Sequence, residues 1–428
     1  MKDFELSDPK KKFVKFEVNS EEFLRVAHPS KQGNERFLKR FLKDFERSDQ
    51  NQANMGIKLH IVSFNVPYPP DYGGIIDVYY RIKALSSLGV EIHLHCFTYG
   101  RQPADELNQL CASVTYYRRH TGLVSALSKK PYIAQSRQCA ELIENLRHDD
   151  APILLEGLHC CSVLEALGDR RILVRAHNVE HEYYARLAAA EKNLFRRLYL
   201  AEESRRLRNY ETVLTHAHAV LAVTKADADH FKAIGCRNVV LMPSSHPNDI
   251  IVSQPCDSPC ANTAYALYHA DLSVAENIDT VDYLVKNLFP QSQINFVVAG
   301  RNPSKRMVDM LAPFGNVKLI ANPNDETMRR LIREAQVQLL LTGSPTGLKL
   351  KLLNSLYAGR HCLVNHNMVA GTELGRLCTV ADNAGMQRDA LTQLMQTPFT
   401  ESDIEHRRTL LGTLYSNQSN ANILLAQI

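Results

Sequence analysis

The chain sets up a long apolar rhythm from Met55 onward. Ile57-Lys58-Leu59-His60-Ile61-Val62-Ser63-Phe64 is rich in apolar and β-branched residues and predicts a strand. The turn-dense loop Pro67-Tyr68-Pro69-Pro70-Asp71-Tyr72-Gly73-Gly74 follows it. Ile75, Val78, Tyr79, Ile82, Leu85 and Leu88 then recur at helical spacing, and Gly89 stops the run. Val90 to Phe97 predicts the next strand. Strand, glycine loop, helix and strand together make the right-handed βαβ unit of a parallel sheet.

The alternation continues. Ile153–Glu156, Ile172–Arg175, Ala219–Val223 and Val239–Met242 predict short buried strands, with one long helical stretch over His181–Glu211 and a helix over Lys225–Ile234. Pro243 to Asn262 is rich in Pro, Ser and Asn and predicts a linker. A second series follows. Strands are expected at Ala264–Tyr268, Ile294–Ala299, Val317–Ile320, Val337–Leu341 and His361–Asn365, and helices at Ile278–Leu288, Asp325–Ala335 and Lys349–Ala358. Ser402 to Ile428 reads as a helical tail able to pack back across a cleft. The expected organisation is a charged extension over 1–54, a Rossmann-like domain over 55–245, a linker over 246–262, a second Rossmann-like domain over 263–405 and a C-terminal helix over 406–428. This is an α/β architecture of two doubly wound domains facing a central cleft, where strand C-termini present ligand sites.

Charge sharpens the first boundary. Of the first 54 residues, 12 are basic and 10 acidic, and this density falls after Asn54. The segment reads as a solvated arm, with Met55 opening the working domains. The whole chain of 428 residues carries a net charge of +4, too balanced to point to nucleic acid. No apolar run approaches the ~20 residues of a membrane span, and no secretory leader is recognisable. The 10 cysteines are scattered rather than spaced as a disulfide framework, which suits the cytoplasm. Cys256 and Cys260 lack a second ligand pair in the sequence, so no metal site is read from it.

Candidate chemistry falls in four places. Gly73 and Gly74 stand between a strand and a helix N-terminus, where bare backbone N–H groups approach a phosphate or sugar, or simply make a tight turn. Arg175-Ala176-His177-Asn178-Val179-Glu180 follows a strand directly. His177 and Asn178 there suit hydrogen bonds to sugar hydroxyls and, at His177, proton movement or a purely structural hydrogen bond. Arg301 and Lys305 flank a glycine turn suited to a diphosphate or to solvent. Thr346-Gly347 precedes a helix with Lys349 at its start, where a cation opposes the helix dipole unless an anion compensates. Lys351 and Asn354 lie about one turn apart on that helix. Arg196, Arg197, Arg205, Arg206 and Arg208 decorate the long helical stretch, as a solvated face or a membrane-surface patch.

Together these stretches resemble the retaining GT-B glycosyltransferases of family 4, over about Met55 to Ile428. Pro69 to Gly74 matches a Pro-Pro-x-x-Gly-Gly loop and Arg175 to Glu180 an Arg-x-His-Asn-x-Glu segment. Ala222-Val223-Thr224 with Asp227, Tyr268 to Ser273 with Asn277, and Gly347 to Leu353 leading to Gly359 match further segments. The resemblance implies a nucleotide-diphospho-sugar donor held by the C-terminal domain at Arg301, Lys305, Thr346, Gly347, Lys349, Lys351 and Asn354, with Gly73 and Gly74 meeting it from the other side. It implies His177 near the reacting carbon, Asn178 and Glu180 as acceptor or sugar contacts, and no required metal or cofactor. The acceptor is expected to be a glycan or lipid-linked sugar in bacterial glycan assembly, on the inner side of the membrane and with room for peripheral membrane contact. The pattern departs from the family where paired glutamates are usual. Those positions fall near Ser344 and at Asn354, and Ala270 replaces a glycine. A catalytically inactive binding or assembly subunit and a nucleotide-sugar 2-epimerase are the competing readings, the first supported by these departures.

Overall fold

A computed structural model describes residues 56–122, 128–168, 170–248, 250–256, 264–290, 292–343 and 349–428. The expected residues Ser344, Thr346, Gly347 and Cys260 lie outside these, as does the charged N-terminal stretch.

The first sheet holds β1 (Lys58–Ser63), β2 (Glu91–Thr98), β3 (Ser113–Arg118), β4 (Ile153–Glu156), β5 (Ile172–Ala176), β6 (Ala219–Ala222) and β7 (Val239–Leu241). Their order is β3-β2-β1-β4-β5-β6-β7, and the pairings are parallel. The second sheet holds β8 (Tyr265–Asp271), β9 (Asn295–Arg301), β10 (Val317–Ala321), β11 (Val337–Leu340), β12 (His361–Val364) and β13 (Thr379–Val380), in the order β10-β9-β8-β11-β12-β13. In each sheet the winding reverses beside the first strand, between β1 and β4 and between β8 and β11. A crevice opens at the carboxyl ends of such strands, so these two points set where ligands can enter.

The central strands are buried on both faces, as crossover helices require. β4, β5 and β6 are buried throughout, and Leu59, Ile61 and Val62 of β1 are fully covered. Helix α1 (Gly73–Ser87) seats Ile75, Val78, Ile82 and Leu85 in this core. It ends at Leu88, followed by Gly89 at φ +80°, where a side chain would be strained. The second sheet builds its own core from Val281, Leu284 and Val285 of α6 (Ala275–Asn287) against Tyr268, Phe296, Val298 and Leu339.

The structure corrects three expectations. The single helix over 181–211 is two, α3 (Glu180–Ala190) and α4 (Leu194–Tyr210), because the Asn193 side chain accepts a hydrogen bond from the Arg196 N–H and starts a new helix. The C-terminal tail is also two helices, α11 (Glu401–Leu414) and α12 (Asn417–Leu425), split where Ser416 caps the second. A Thr400–Asp403 capping box starts α11. Helix α9 (Leu350–Ala358) begins one residue later than expected, leaving Lys349 as its N-cap residue. In the chain between α1 and α11 stand also α2 (Ala140–Leu146), α5 (Lys225–Ala233), α7 (Lys305–Leu311), α8 (Asp325–Glu334) and α10 (Ala384–Gln396).

The ends of the chain segments join both sheets. Ala421 and Leu424 of α12 sit in the core of the first sheet, whereas Leu410 and Leu411 of α11 sit against α9 and β12. His246 is fully buried at the joint. Its backbone N–H donates to the Asn417 side chain at 3.0 Å, and the Asn417 amide donates back to the His246 carbonyl at 2.7 Å.

Candidate active site

The crevice between β1 and β4 holds a buried charge network. Asp77 and Arg81 lie one helical turn apart on α1. Glu156 ends β4, Arg175 stands in β5, and His177 follows β5. Asp77, Arg81, Glu156 and Arg175 are each exposed by no more than 1%. Arg81 Nη1 donates to Glu156 Oε1 at 3.0 Å and Arg175 Nε to Asp77 Oδ2 at 3.0 Å. Arg175 Nη1 also donates to the Met242 carbonyl, and the Ser245 N–H donates to Asp77 Oδ1 at 2.6 Å. Every charge is therefore paired, which burial at this depth demands. Burial pushes the Asp77 carboxyl up, but Arg175, Arg81 and His177 overcome that and hold it well below the usual carboxylate range.

His177 completes the network. Its Nε2 lies 3.0 Å from Glu156 Oε2 and its Nδ1 3.3 Å from Asp77 Oδ2. Burial acts to lower its pKa, yet the two carboxylates raise it on balance. A carboxylate facing each ring nitrogen favours the imidazolium form. When the ring is protonated, three cations face two carboxylates, and the extra positive charge sits on His177, whose side chain is one-tenth exposed.

The backbone makes room for this ring. Gly157 has φ +80°, and a Cβ there would lie 2.9 Å from His159 Nδ1 and 3.5 Å from His177 Cδ2. Gly74, the second residue of α1, would place a Cβ 3.0 Å from Phe64 Cζ, while Gly73 is open on all sides. The Phe64 ring stands edge-on to His177, with centroids 5.6 Å apart. Asn178 hydrogen-bonds Glu180, the first residue of α3. Burial raises the Glu180 carboxyl to about 7, against the opposing pull of His177 and Asn178 and with a further push from Glu211.

The second crevice, between β8 and β11, gathers other residues. Glu276 in the first turn of α6 accepts from the Thr342 hydroxyl and, at 2.8 Å, from the Gly343 N–H. Lys349 and Lys351 lie within electrostatic range of this carboxylate. Lys351 Nζ sits 5.4 Å from the centre of the Tyr268 ring and donates to the Leu341 carbonyl at 3.4 Å. Burial lowers the Lys351 ammonium to about 8, with Glu276 opposing and Lys349 assisting. Burial lowers Lys349 as well, and Arg186 of α3 contributes to the same fall. That coupling runs from the first sheet's helices to the start of α9. Gly300 is required nearby, because a Cβ would lie 1.9 Å from the Ala270 carbonyl oxygen.

The sequence-expected residues therefore divide. Gly73, Gly74, His177, Asn178 and Glu180 line the first crevice, and Lys349 and Lys351 the second. Arg301 ends β9 and is exposed opposite Asp271, and Lys305 opens α7, also exposed, both one strand beyond β8. The Asn354 side chain accepts from Asn248 of the linker at 2.7 Å. Sequence reading missed Asp77, Arg81, Glu156, Gly157 and Glu276, which carry no local motif. It also missed a cluster drawn from distant segments, in which His181 Nδ1 and His230 Nε2 both approach Glu211 Oε2.

No protein-family model matches the chain. A relative described as an uncharacterized 44.6 kDa protein in the cps region of Klebsiella pneumoniae is 24% identical over 323 residues, covering 70% of this chain and 80% of that one. Among solved structures, TarM superimposes with TM-score 0.59 at 10% identity, covering 87% of this chain and 99% of TarM. A UDP-forming α,α-trehalose-phosphate synthase from Burkholderia xenovorans, solved with glucose-6-phosphate, gives TM-score 0.51 at 13% identity, covering 86% and 98%. The fold is GT-B, two Rossmann-like domains each built on a parallel sheet.

Proposed function

We propose that the chain is a glycosyltransferase that moves a sugar from a nucleotide-diphospho-sugar to a hydroxyl acceptor. The observation that carries this reading is the pairing of two charged crevices at the two winding reversals. One holds the His177 cation between Asp77 and Glu156, and the other holds Lys349 and Lys351. Similar folds support a nucleotide donor, since one of them is described as UDP-forming and bound to a sugar phosphate.

In this reading the donor diphosphate lies against Lys349 and Lys351 at the start of α9, with Arg301 and Lys305 at its outer edge. Asn354 orients its ribose. Gly73 and Gly74 admit the sugar, and Asn178 and Glu180 bind sugar or acceptor hydroxyls. The donor C1–O bond breaks as the acceptor oxygen bonds to C1, and the acceptor proton leaves with the departing diphosphate. Charge builds on that diphosphate, so fixed cations and helix N-termini favour the transition state. In this reading His177 contributes positive charge, since a carboxylate oxygen stands within 3.3 Å of each ring nitrogen and favours its protonated form. Retention at C1, membership of family 4 and a glycan or lipid-linked acceptor of bacterial origin follow from the motif resemblance.

Peripheral membrane contact belongs to the same reading. On α4, Phe195, Leu198 and Leu194 are 83%, 59% and 55% exposed, and Tyr183 and Leu187 of α3 are exposed on the adjoining helix. Arg196 and Arg197 flank this apolar tip, the combination that anionic bilayers attract. Among the described residues no helix is long and apolar enough to cross a membrane.

The reading is tested by following nucleoside diphosphate release from UDP-, GDP- and dTDP-sugars. Release by the wild type, and a loss of turnover in His177→Ala much larger than its loss of stability, are expected. Binding of a nucleotide sugar without release or transfer to any acceptor would favour an inactive binding subunit instead.

A further inference from the structure

Behind the first crevice, three elements bring nitrogen and oxygen donors to one point. His181 is the second residue of α3, Glu211 opens the short helical turn Glu211–His216 that follows α4, and His230 lies on α5. His181 Nδ1 is 2.8 Å and His230 Nε2 3.0 Å from the same oxygen, Glu211 Oε2. All three donor atoms lie within 4.8 Å of one another. His181 and Glu211 are buried, whereas the His230 side chain is 23% exposed and opens the cluster to solvent.

We propose that His181, Glu211 and His230 form a divalent-metal site of the zinc class. Two imidazoles and one carboxylate are a donor set that suits Zn²⁺ and Co²⁺ and leaves a further position for water; Mg²⁺ and Ca²⁺ prefer oxygen alone. A tetrahedral ion with bonds of about 2.1 Å separates its donors by roughly 3.4 Å, so each imidazole–carboxylate distance needs to open by about half an ångström. With the ion bound, each imidazole coordinates through the nitrogen that faces Glu211 and carries its proton on the other, so metal bonds replace the two contacts to the carboxylate. The first element is held in place by its surroundings, since Ser204 Oγ donates to the His181 carbonyl at 2.7 Å and the His181 and His230 rings stand 5.3 Å apart. The ion would tie the N-terminus of α3, and so the segment leading from His177, to α5. The site is independent of the transferase reading: metal binding can fail while donor binding holds, and the converse.

The test uses the full chain, stripped with EDTA and titrated with Zn²⁺ or Co²⁺ alone. One equivalent of Zn²⁺ withheld from a chromogenic chelator, a rise in melting temperature on its addition, and visible d–d absorption with Co²⁺ are expected. His230→Gln, a change at the solvent-facing ligand, should abolish that equivalent and the absorption. Should this variant fail to fold, nitrogen coupling from two imidazoles in the Cu²⁺ electron paramagnetic resonance spectrum of the wild type serves instead. No saturable equivalent in the wild type, undiminished binding in folded His230→Gln, or a Cu²⁺ spectrum without two nitrogens overturns the proposal.

Discussion

His177 and Glu156 meet at 3.0 Å across the crevice between β1 and β4, and Glu156 shares its other oxygen with Arg81. One carboxylate thus orients a ring at the cleft and neutralises a guanidinium in the core. Changing Glu156 to Gln keeps the shape but leaves two cations short of charge. Breaking one partner of a buried pair costs about 3–5 kcal/mol. A denaturant midpoint shifted accordingly, with turnover also reduced, is the expected outcome. A midpoint equal to wild type would mean that this pairing does not contribute.

Glu180 gives a pH signature. Its folded pKa is raised to about 7, above an unfolded value near 4.5. The folded state therefore binds the extra proton between these values, and stability falls as pH rises through that window. Glu180→Gln removes the cost of burying the charge. Above pH 7 the variant should be more stable than wild type by at most about 3 kcal/mol, and the gain should vanish toward pH 4.5. Chemical denaturation at several pH values checks this. His177, whose folded pKa is also raised, contributes stability present below its unfolded pKa and lost as pH rises through the folded value.

Gly157 is predicted to be irreplaceable. Its φ of +80° disfavours any side chain, and a Cβ would press on the His159 ring at 2.9 Å. Gly157→Ala should cost on the order of 1–3 kcal/mol and push the His159 ring aside, with turnover falling no further than the stability loss, because His177 stays at ordinary contact distance. Thermal melts and turnover measured side by side would show it.

How much of this was legible in the sequence depends on distance along the chain. β1, α1, β4 and β5 followed from periodicity, and the glycine loop and the Arg175–Glu180 segment stood out because their polar residues directly follow apolar strands. Asp77 and Arg81 did not stand out, since on a helix an i, i+4 acid–base pair reads as solvated surface. Their burial depends on Glu156 and Arg175 arriving from strands 75 and 98 residues away. Glu276 and the His181–Glu211–His230 cluster were hidden for the same reason. The edge strand β3 escaped because its residues are mostly half-exposed and do not alternate. The break at Asn193 was visible as a capping residue but was outweighed by helix formers on both sides.

The exposed tip of α4 predicts lipid dependence. Vesicles containing anionic lipid should sediment with the wild type, and Phe195→Ser with Leu198→Ser should abolish this without changing the melting temperature. Equal sedimentation of both proteins would remove the membrane contact from the account.

Lys351 ties the second crevice to the donor. Its ammonium titrates at about 8, so it is charged below that pH and its grip on a diphosphate weakens above it. Calorimetric titration of UDP, GDP and dTDP into the wild type and into Lys351→Met, at pH 7 and pH 9, shows whether this crevice holds a nucleotide through Lys351. The account predicts saturable binding of one nucleoside diphosphate at pH 7, about tenfold or more weaker in the variant, and a smaller difference between the two proteins at pH 9. Binding of none of the three nucleotides, or binding that ignores both Lys351 and pH, would contradict it.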